Sequence, residues 1–168
     1  MPTEAQAGVA PTTQVFEIYI NASPEAVWTA VTDPAWNVKY GYRGGMSYEL
    51  RSGGQFRAFA TPQMRAMGLP EVMIDGEVLE CVPPSRLVQT YRWLFNEQTK
   101  AEGFTRITWE IEGTEAGFTR LTVTHELEGA PGMAAGVASK FSTRGGGGWS
   151  WILSDLKSLL ETGKNLGA

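Results

Sequence analysis

The sequence has only one cysteine and one histidine, Cys81 and His125, among its 168 residues. A single cysteine excludes an intrachain disulfide and fits a reducing, cytoplasmic location. One histidine and one cysteine are also too few for a zinc site of ordinary ligand composition. We therefore expect no metal and no cofactor.

Long apolar runs and basic clusters are missing as well. No stretch approaches the roughly 18 apolar residues of a membrane span, and residues 1–13 lack the basic start and apolar centre of a signal peptide. The net charge is −4 and the arginines are scattered, which argues against a nucleic-acid surface. We expect neither a membrane nor a nucleic acid as partner.

What is present is the composition of a folded protein, with 42% hydrophobic and 19% charged residues. A chain of this length is most simply one domain with a substantial core. Residues 1–13 are small, polar and proline-containing, which predicts a flexible N-terminal tail. Residues 14–168 are predicted to form the single domain.

The longest periodic stretch covers residues 148–163. Its apolar residues recur at helical spacing and share one arc of the helix: Trp149, Ile152, Leu153, Leu156, Leu159 and Leu160. Polar residues, Asp155 among them, fill the opposite side, and Gly163 is a helix stop signal. The pattern predicts a long C-terminal helix that needs a large apolar partner surface.

The segment before that helix consists mostly of alternating apolar and polar residues. A first strand is predicted over residues 14–20, and then a helix that opens at residues 23–25 with Ser-Pro-Glu and ends at Asp33-Pro34. A further short helical turn is predicted over residues 35–40.

From residue 46 to residue 127 the period of two predicts a series of strands. Residues 61–70 are interpreted as a loop, and residues 96–103 as a polar, charged turn. Consecutive strands with short connections imply an antiparallel sheet, and the helices at either end give an α+β domain. A strongly twisted sheet of six or seven strands can curl around one helix, leaving an apolar cavity where the two diverge.

Four segments of the chain resemble a known superfamily. They are residues 75–93 (DGEVLECVPPSRLVQTYRW), 108–112 (TWEIE), 119–126 (TRLTVTHE) and the Gly148-Trp149 pair that opens the last helix. In this order they resemble the SRPBCC (START-like, helix-grip) superfamily, in particular the branch related to the C-terminal domain of the activator of Hsp90 ATPase. The similarity covers roughly residues 15–163.

This resemblance implies a helix-grip, Bet v 1-like fold. A curved antiparallel sheet of six to seven strands would wrap around the long C-terminal helix, with two short helices after the first strand. A hydrophobic ligand cavity would lie between the sheet and the helix. The superfamily includes lipid carriers, hormone receptors, polyketide cyclases and co-chaperones, so the fold alone does not imply one function.

The function we expect is the binding or carrying of a hydrophobic, ring-containing small molecule in this cavity. Two alternatives stay open: a polyketide cyclase or hydrolase-type enzyme that uses the same cavity, and an Hsp90-activator-like protein-interaction module. The expected partner is accordingly a hydrophobic small molecule, and a homodimer or a chaperone partner is left open.

An excess of aromatic residues supports the cavity. Six tryptophans exceed what packing alone usually requires, and a cavity walled by rings would use the excess. The predicted cavity residues are Trp28, Trp36, Tyr40, Tyr48, Phe56, Tyr91, Trp93, Trp109, His125, Trp149 and Leu153. No catalytic residue is identified.

His125 is placed by the period of two on the same strand face as Leu121 and Val123. It is either a core histidine bonded to a neighbour or a residue that contacts the ligand or moves a proton. Because the ring shares this face, desolvation predicts a lowered pKa unless an acid lies near.

Three charged residues on predicted strands have the same two interpretations. Glu80 and Glu110 either point to solvent or enter the cavity. Arg92 is either solvent-exposed or paired, or it is an anchor for a ligand carboxylate.

Overall fold

The chain is built around one seven-stranded sheet in a computed structural model that describes residues 12–138, 141–143 and 145–168. The strands are β1 (Thr13–Ile20), β2 (Met46–Tyr48), β3 (Gln55–Phe59), β4 (Val72–Val82), β5 (Arg86–Trp93), β6 (Thr105–Gly113) and β7 (Thr119–Glu126). Their order across the sheet is β1-β7-β6-β5-β4-β3-β2, and all neighbouring strands are antiparallel. The predicted antiparallel sheet of six to seven strands is confirmed. The predicted N-terminal tail lies outside the described residues up to residue 11.

Six helices are seen in the described part of the chain. They are α1 (Pro24–Thr32), α2 (Pro34–Asn37), α3 (Pro62–Ala66), α4 (Glu97–Glu102), α5 (Pro131–Val137) and α6 (Gly148–Thr162). α1 and α2 are the two short helices predicted after the first strand, and Ser23 caps α1 by accepting a hydrogen bond from the Ala26 N–H. None of the described helices is long and apolar enough to cross a membrane.

α3 and α4 correct the prediction that residues 61–70 and 96–103 contain no helix. Thr61 caps α3 by accepting a hydrogen bond from the Met64 N–H, and Pro62 occupies the first turn. At α4 the Asn96 and Thr99 side chains each accept a hydrogen bond from the other's backbone N–H. Because these short helices are specified by their caps and bury none of their residues, the apolar period does not reveal them.

α6 packs on the concave face of the sheet, as predicted. Its Trp149, Leu153 and Leu156 side chains are buried, and they join the same core cluster as Ile107 on β6 and Leu121 on β7. The helix ends at Gly163, whose left-handed backbone lets its N–H bond the Leu159 carbonyl. This arrangement confirms the α+β helix-grip fold.

Asp155 departs from the predicted polar side of α6, because it is only 3% exposed. Its carboxylate accepts hydrogen bonds from the Gly41 N–H at 2.9 Å and the Leu166 N–H at 2.9 Å. The Asn165 side-chain amide donates a third, at 3.1 Å. The carboxylate therefore joins α6 to the segment after α2 and to the C-terminal residues.

Candidate functional site

A cavity of about 370 Å³ lies between the sheet and α6. Its volume falls within the roughly 300–1,000 Å³ of small-molecule pockets. Strands β2 to β6 form one wall, and the other lining residues come from α1, α2, α3, α5 and α6 and from the segments after α2, α3 and β5. Tyr42 and Arg43 border the cavity and are exposed, so it reaches the surface at that end.

Most of the predicted cavity residues line this space: Tyr40, Tyr48, Phe56, Tyr91, Trp93, Trp109 and Trp149. The remaining four, Trp28, Trp36, His125 and Leu153, do not border it. Trp28 and Leu153 are buried in the core, and Trp36 on α2 is partly buried beneath the Lys39 ammonium group. Contact with a ligand stays a prediction for all of them.

The aromatic walls of the cavity are packed ring against ring. The centroid of Tyr48 lies 4.6 Å from that of Phe56, and Phe56 is stacked on Tyr91 at 5.9 Å. Trp109 meets Trp149 edge to face at 5.3 Å. Because neighbouring rings hold one another, they offer a preformed apolar surface rather than one that must be ordered on binding.

Gln89 on β5 is a cavity residue that the sequence analysis missed. It is 1% exposed, and its Oε1 accepts hydrogen bonds from the Tyr48 hydroxyl at 2.8 Å and from the Trp109 Nε1 at 3.2 Å. The available signal was its phase, because Gln89 alternates in step with the inward-facing Leu87 and Tyr91. A polar side chain in the apolar phase of a strand indicates a functional or structural hydrogen bond.

Three of the tyrosines that line the cavity are hydrogen-bonding groups rather than bases. Burial raises the pKa of Tyr40, Tyr48 and Tyr91 above the ordinary value of 10, so the phenols stay protonated at neutral pH. The Tyr40 hydroxyl donates a hydrogen bond to the Ala30 carbonyl at 2.8 Å.

Asn37 completes the polar groups on this side of the cavity. Its Nδ2 donates to the Ala30 and Val31 carbonyls at 3.2 and 3.0 Å. Its Oδ1 is buried, and the described residues offer it no hydrogen-bond donor.

His125 is fully buried behind Trp149 in a chain of hydrogen bonds. The Trp149 Nε1 lies 3.1 Å from the His125 Nδ1, and the Thr105 hydroxyl lies 2.8 Å from the His125 Nε2. Since an indole N–H can only donate, Nδ1 must accept, and the ring proton is therefore assigned to Nε2. Thr105 in turn donates to the Tyr91 carbonyl at 2.8 Å.

The His125 imidazole is neutral in this hydrogen-bonded arrangement. Desolvation lowers its pKa to about 3, and the groups that bond it are uncharged. His125 thus fixes the ring of Trp149, which forms part of the cavity wall, while staying outside the cavity itself.

The charged strand residues also lie outside the cavity lining. Glu80 and Glu110 both form ion pairs with Arg86, at 3.3 and 2.9 Å. Arg92 donates two hydrogen bonds to Asp75, at 2.9 and 2.6 Å. Within the described ranges, no group of three or more His, Cys, Asp or Glu residues is arranged to hold a metal ion.

Comparison with known proteins gives a family and a set of similar structures. The family model described as "Activator of Hsp90 ATPase homolog 1-like protein" matches residues 21–161. None of the curated proteins matches the chain.

Among solved structures, the Aha1 dimer from Colwellia psychrerythraea is 22% identical and covers 92% of this chain and 100% of its own, with a TM-score of 0.64. An HSP90 activator from Plasmodium falciparum is 20% identical over 70% of this chain and 74% of its own, with a TM-score of 0.55. DynU16, a putative protein in the dynemicin biosynthetic locus, is 22% identical over 92% of this chain and 49% of its own, with a TM-score of 0.62. At these identities the likeness establishes the fold.

Proposed function

The chain belongs to the activator of Hsp90 ATPase homolog 1-like family of the SRPBCC superfamily, and on this premise we propose that it binds or carries a hydrophobic, ring-containing small molecule. The observation that carries the proposal is the cavity of about 370 Å³ between the sheet and α6. Most of its wall is apolar side chain, and rings from five elements contribute to it. Close packing is the rule in protein interiors, so an apolar cavity of this size favours a role in binding.

The lining supports binding more than catalysis. None of the described residues that line the cavity carries a carboxylate, an imidazole or an amine. Tyr40, Tyr48 and Tyr91 have raised pKa values, which makes them poor bases at neutral pH. A cyclase or hydrolase-type reaction in this cavity would therefore have to rely on orienting a reactive ligand and excluding water.

A ligand screen with a matched pair of variants tests the proposal. Ala58 on β3 lines the cavity, so Ala58→Phe should fill part of it, whereas Ala116→Phe makes the same change in an exposed turn. We expect tricyclic aromatic compounds to raise the melting temperature and quench tryptophan fluorescence in the parent protein and in Ala116→Phe. With Ala58→Phe, the ligand concentration needed for either effect should be at least tenfold higher.

Nucleotides and sugars serve as negative probes in the same assay. If no apolar compound in a broad screen changes the melting temperature or the fluorescence, the binding proposal is wrong. Equal binding by Ala58→Phe and Ala116→Phe would instead assign the ligand to another part of the surface.

The family description and the Plasmodium falciparum structure favour a second candidate, a protein-interaction module that acts on Hsp90. Its test is the ATPase rate of Hsp90 with and without this protein.

The dimeric structure from Colwellia psychrerythraea supports, in the same way, a homodimer for this chain. Light scattering over a range of protein concentrations tests that proposal.

A further inference from the structure

In the Gln89 side-chain amide, the oxygen has hydrogen-bond partners and the nitrogen does not. Its Oε1 accepts hydrogen bonds from the Tyr48 hydroxyl and the Trp109 Nε1. Because the indole N–H is only a donor, the amide oxygen and not the nitrogen must face Trp109. The orientation of the amide is therefore fixed by its neighbours rather than chosen arbitrarily.

The Nε2 group is left without a protein partner. No described residue accepts a hydrogen bond from it, although Gln89 is 1% exposed and borders the cavity. Nε2 is not one of the fully enclosed side-chain atoms that lack a partner, so it keeps access to the cavity space, and an N–H group held away from bulk water needs an acceptor there. The contents of the cavity are what can complete this group.

We infer that the Gln89 Nε2 group donates a hydrogen bond to a keto- or quinone-type oxygen on the ring compound that fills the cavity. This inference rests on the proposed function and adds to it the polar group that the ligand carries. An amide nitrogen cannot accept, so the matching ligand atom is an acceptor.

The acceptor is a neutral oxygen rather than a carboxylate. Of the described lining residues, Arg43 alone carries a charge, and it is exposed at the open end of the cavity. A carboxylate beside Gln89 would be removed from water among aromatic rings with no cation to balance it, which is strongly unfavourable. A carbonyl needs only the hydrogen bond that the amide supplies.

The same geometry makes the site selective against plain hydrocarbons. In the ligand-free protein, water in the cavity can accept the hydrogen bond from Nε2. A hydrocarbon displaces that water without replacing the bond, whereas a carbonyl oxygen replaces it. Discrimination between the two classes therefore follows from one side chain.

Fluorenone and fluorene provide the test, because they share one tricyclic skeleton and differ by a carbonyl in place of a methylene. We expect calorimetry on the full chain to give at least about tenfold tighter binding of fluorenone. The carbonyl stretching frequency of bound fluorenone should be lower than in a hydrocarbon solvent, as a hydrogen bond requires.

Gln89→Met removes the donor and keeps the length of the side chain, and Gln98→Met makes the same change at an exposed position on α4. The preference for fluorenone should disappear in Gln89→Met and persist in Gln98→Met. If Gln89→Met does not fold, because Tyr48 and Trp109 lose their acceptor, the stretching frequency in the parent protein decides.

Each other outcome has a defined meaning. Equal binding of the two compounds by the parent protein, or an unshifted carbonyl frequency, overturns this inference and leaves the proposed function standing. A preference that survives in Gln89→Met also overturns it, since another group would then recognise the oxygen. Failure of both compounds to bind counts against the proposed function itself, and the inference falls with it.

Discussion

The burial of His125 predicts a specific dependence of protein stability on pH. The ring is fully buried, and desolvation lowers its pKa from the ordinary 6.5 to about 3. In the unfolded chain the imidazole takes up a proton below about pH 6.5, whereas in the folded chain it does not until about pH 3. The folded state binds fewer protons over this interval. The stability that is linked to the neutral His125 ring is therefore fully present above pH 6.5 and is lost as the pH falls.

The size of the effect follows from one proton. Between about pH 7.5 and about pH 5.5 the free energy of unfolding should fall by about 1.4 kcal/mol through His125. The chain contains no second histidine, and carboxylates titrate mostly below this window. His125→Gln does not titrate there, while an amide can still accept from Trp149 and donate to Thr105.

Urea denaturation of both proteins at several pH values measures the difference. The parent protein should show the fall in the free energy of unfolding and His125→Gln should not, whatever their difference at neutral pH. An NMR titration of the imidazole should find the ring neutral through pH 5. Parallel pH curves for the two proteins, or a ring that titrates near pH 6.5, would refute the placement of His125 in a desolvated site.

Four further substitutions test how α6 is held, each by urea denaturation. Leu153→Asp buries a carboxylate in the core and should cost about 3–5 kcal/mol; a variant that melts like the parent would refute the packing of α6. Gly148→Ala places a Cβ 2.5 Å from the Val137 carbonyl oxygen at a φ of +73°, and should cost at least about 2 kcal/mol. Gly163→Ala has a similar φ of +75° but open space, so its cost should be only about 1 kcal/mol, and equal costs would show that the close approach is unimportant. Asp155→Ala removes the buried acceptor of the Gly41 and Leu166 N–H groups and should cost about 2 kcal/mol, whereas an unchanged stability would show that water replaces the carboxylate.

The parts of the fold that could be predicted from the sequence are those that bury one face. The period of α6 and the alternation of β6 and β7 each follow from a contact with the core, so the amino-acid order carries them. The short helices α3 and α4 bury nothing and depend on capping side chains, which is why a search for apolar periods misses them.

Asp155 shows a different limit of prediction. A helical projection assigns Asp155 to the solvent side, because the projection considers only its position on the helix and its charge. Its burial is stabilised by N–H groups of Gly41 and Leu166, which are distant in sequence and have no pattern of their own. Only the assembled fold brings these donors to the carboxylate.

The walls of the candidate site were easier to predict than its polar centre. The surplus of rings already indicated that some would line a cavity, and most of the named rings do border one. Gln89 carries no such signal from composition, since a single amide on a strand is usually solvated. Its significance depends on two side chains from other strands, Tyr48 and Trp109, which occupy its oxygen.

His125 shows why the strand face alone does not define a cavity residue. The period of two correctly gives it the buried side of β7, together with Leu121 and Val123. Among the described residues, the strand residues that line the cavity come from β2 to β6, and none lies on β1 or β7. At β7 the concave face is covered by α6, whose Trp149 lies against the imidazole. The helix thus divides one apolar face into a filled part and an open part, and that division depends on the path of α6 rather than on any local pattern.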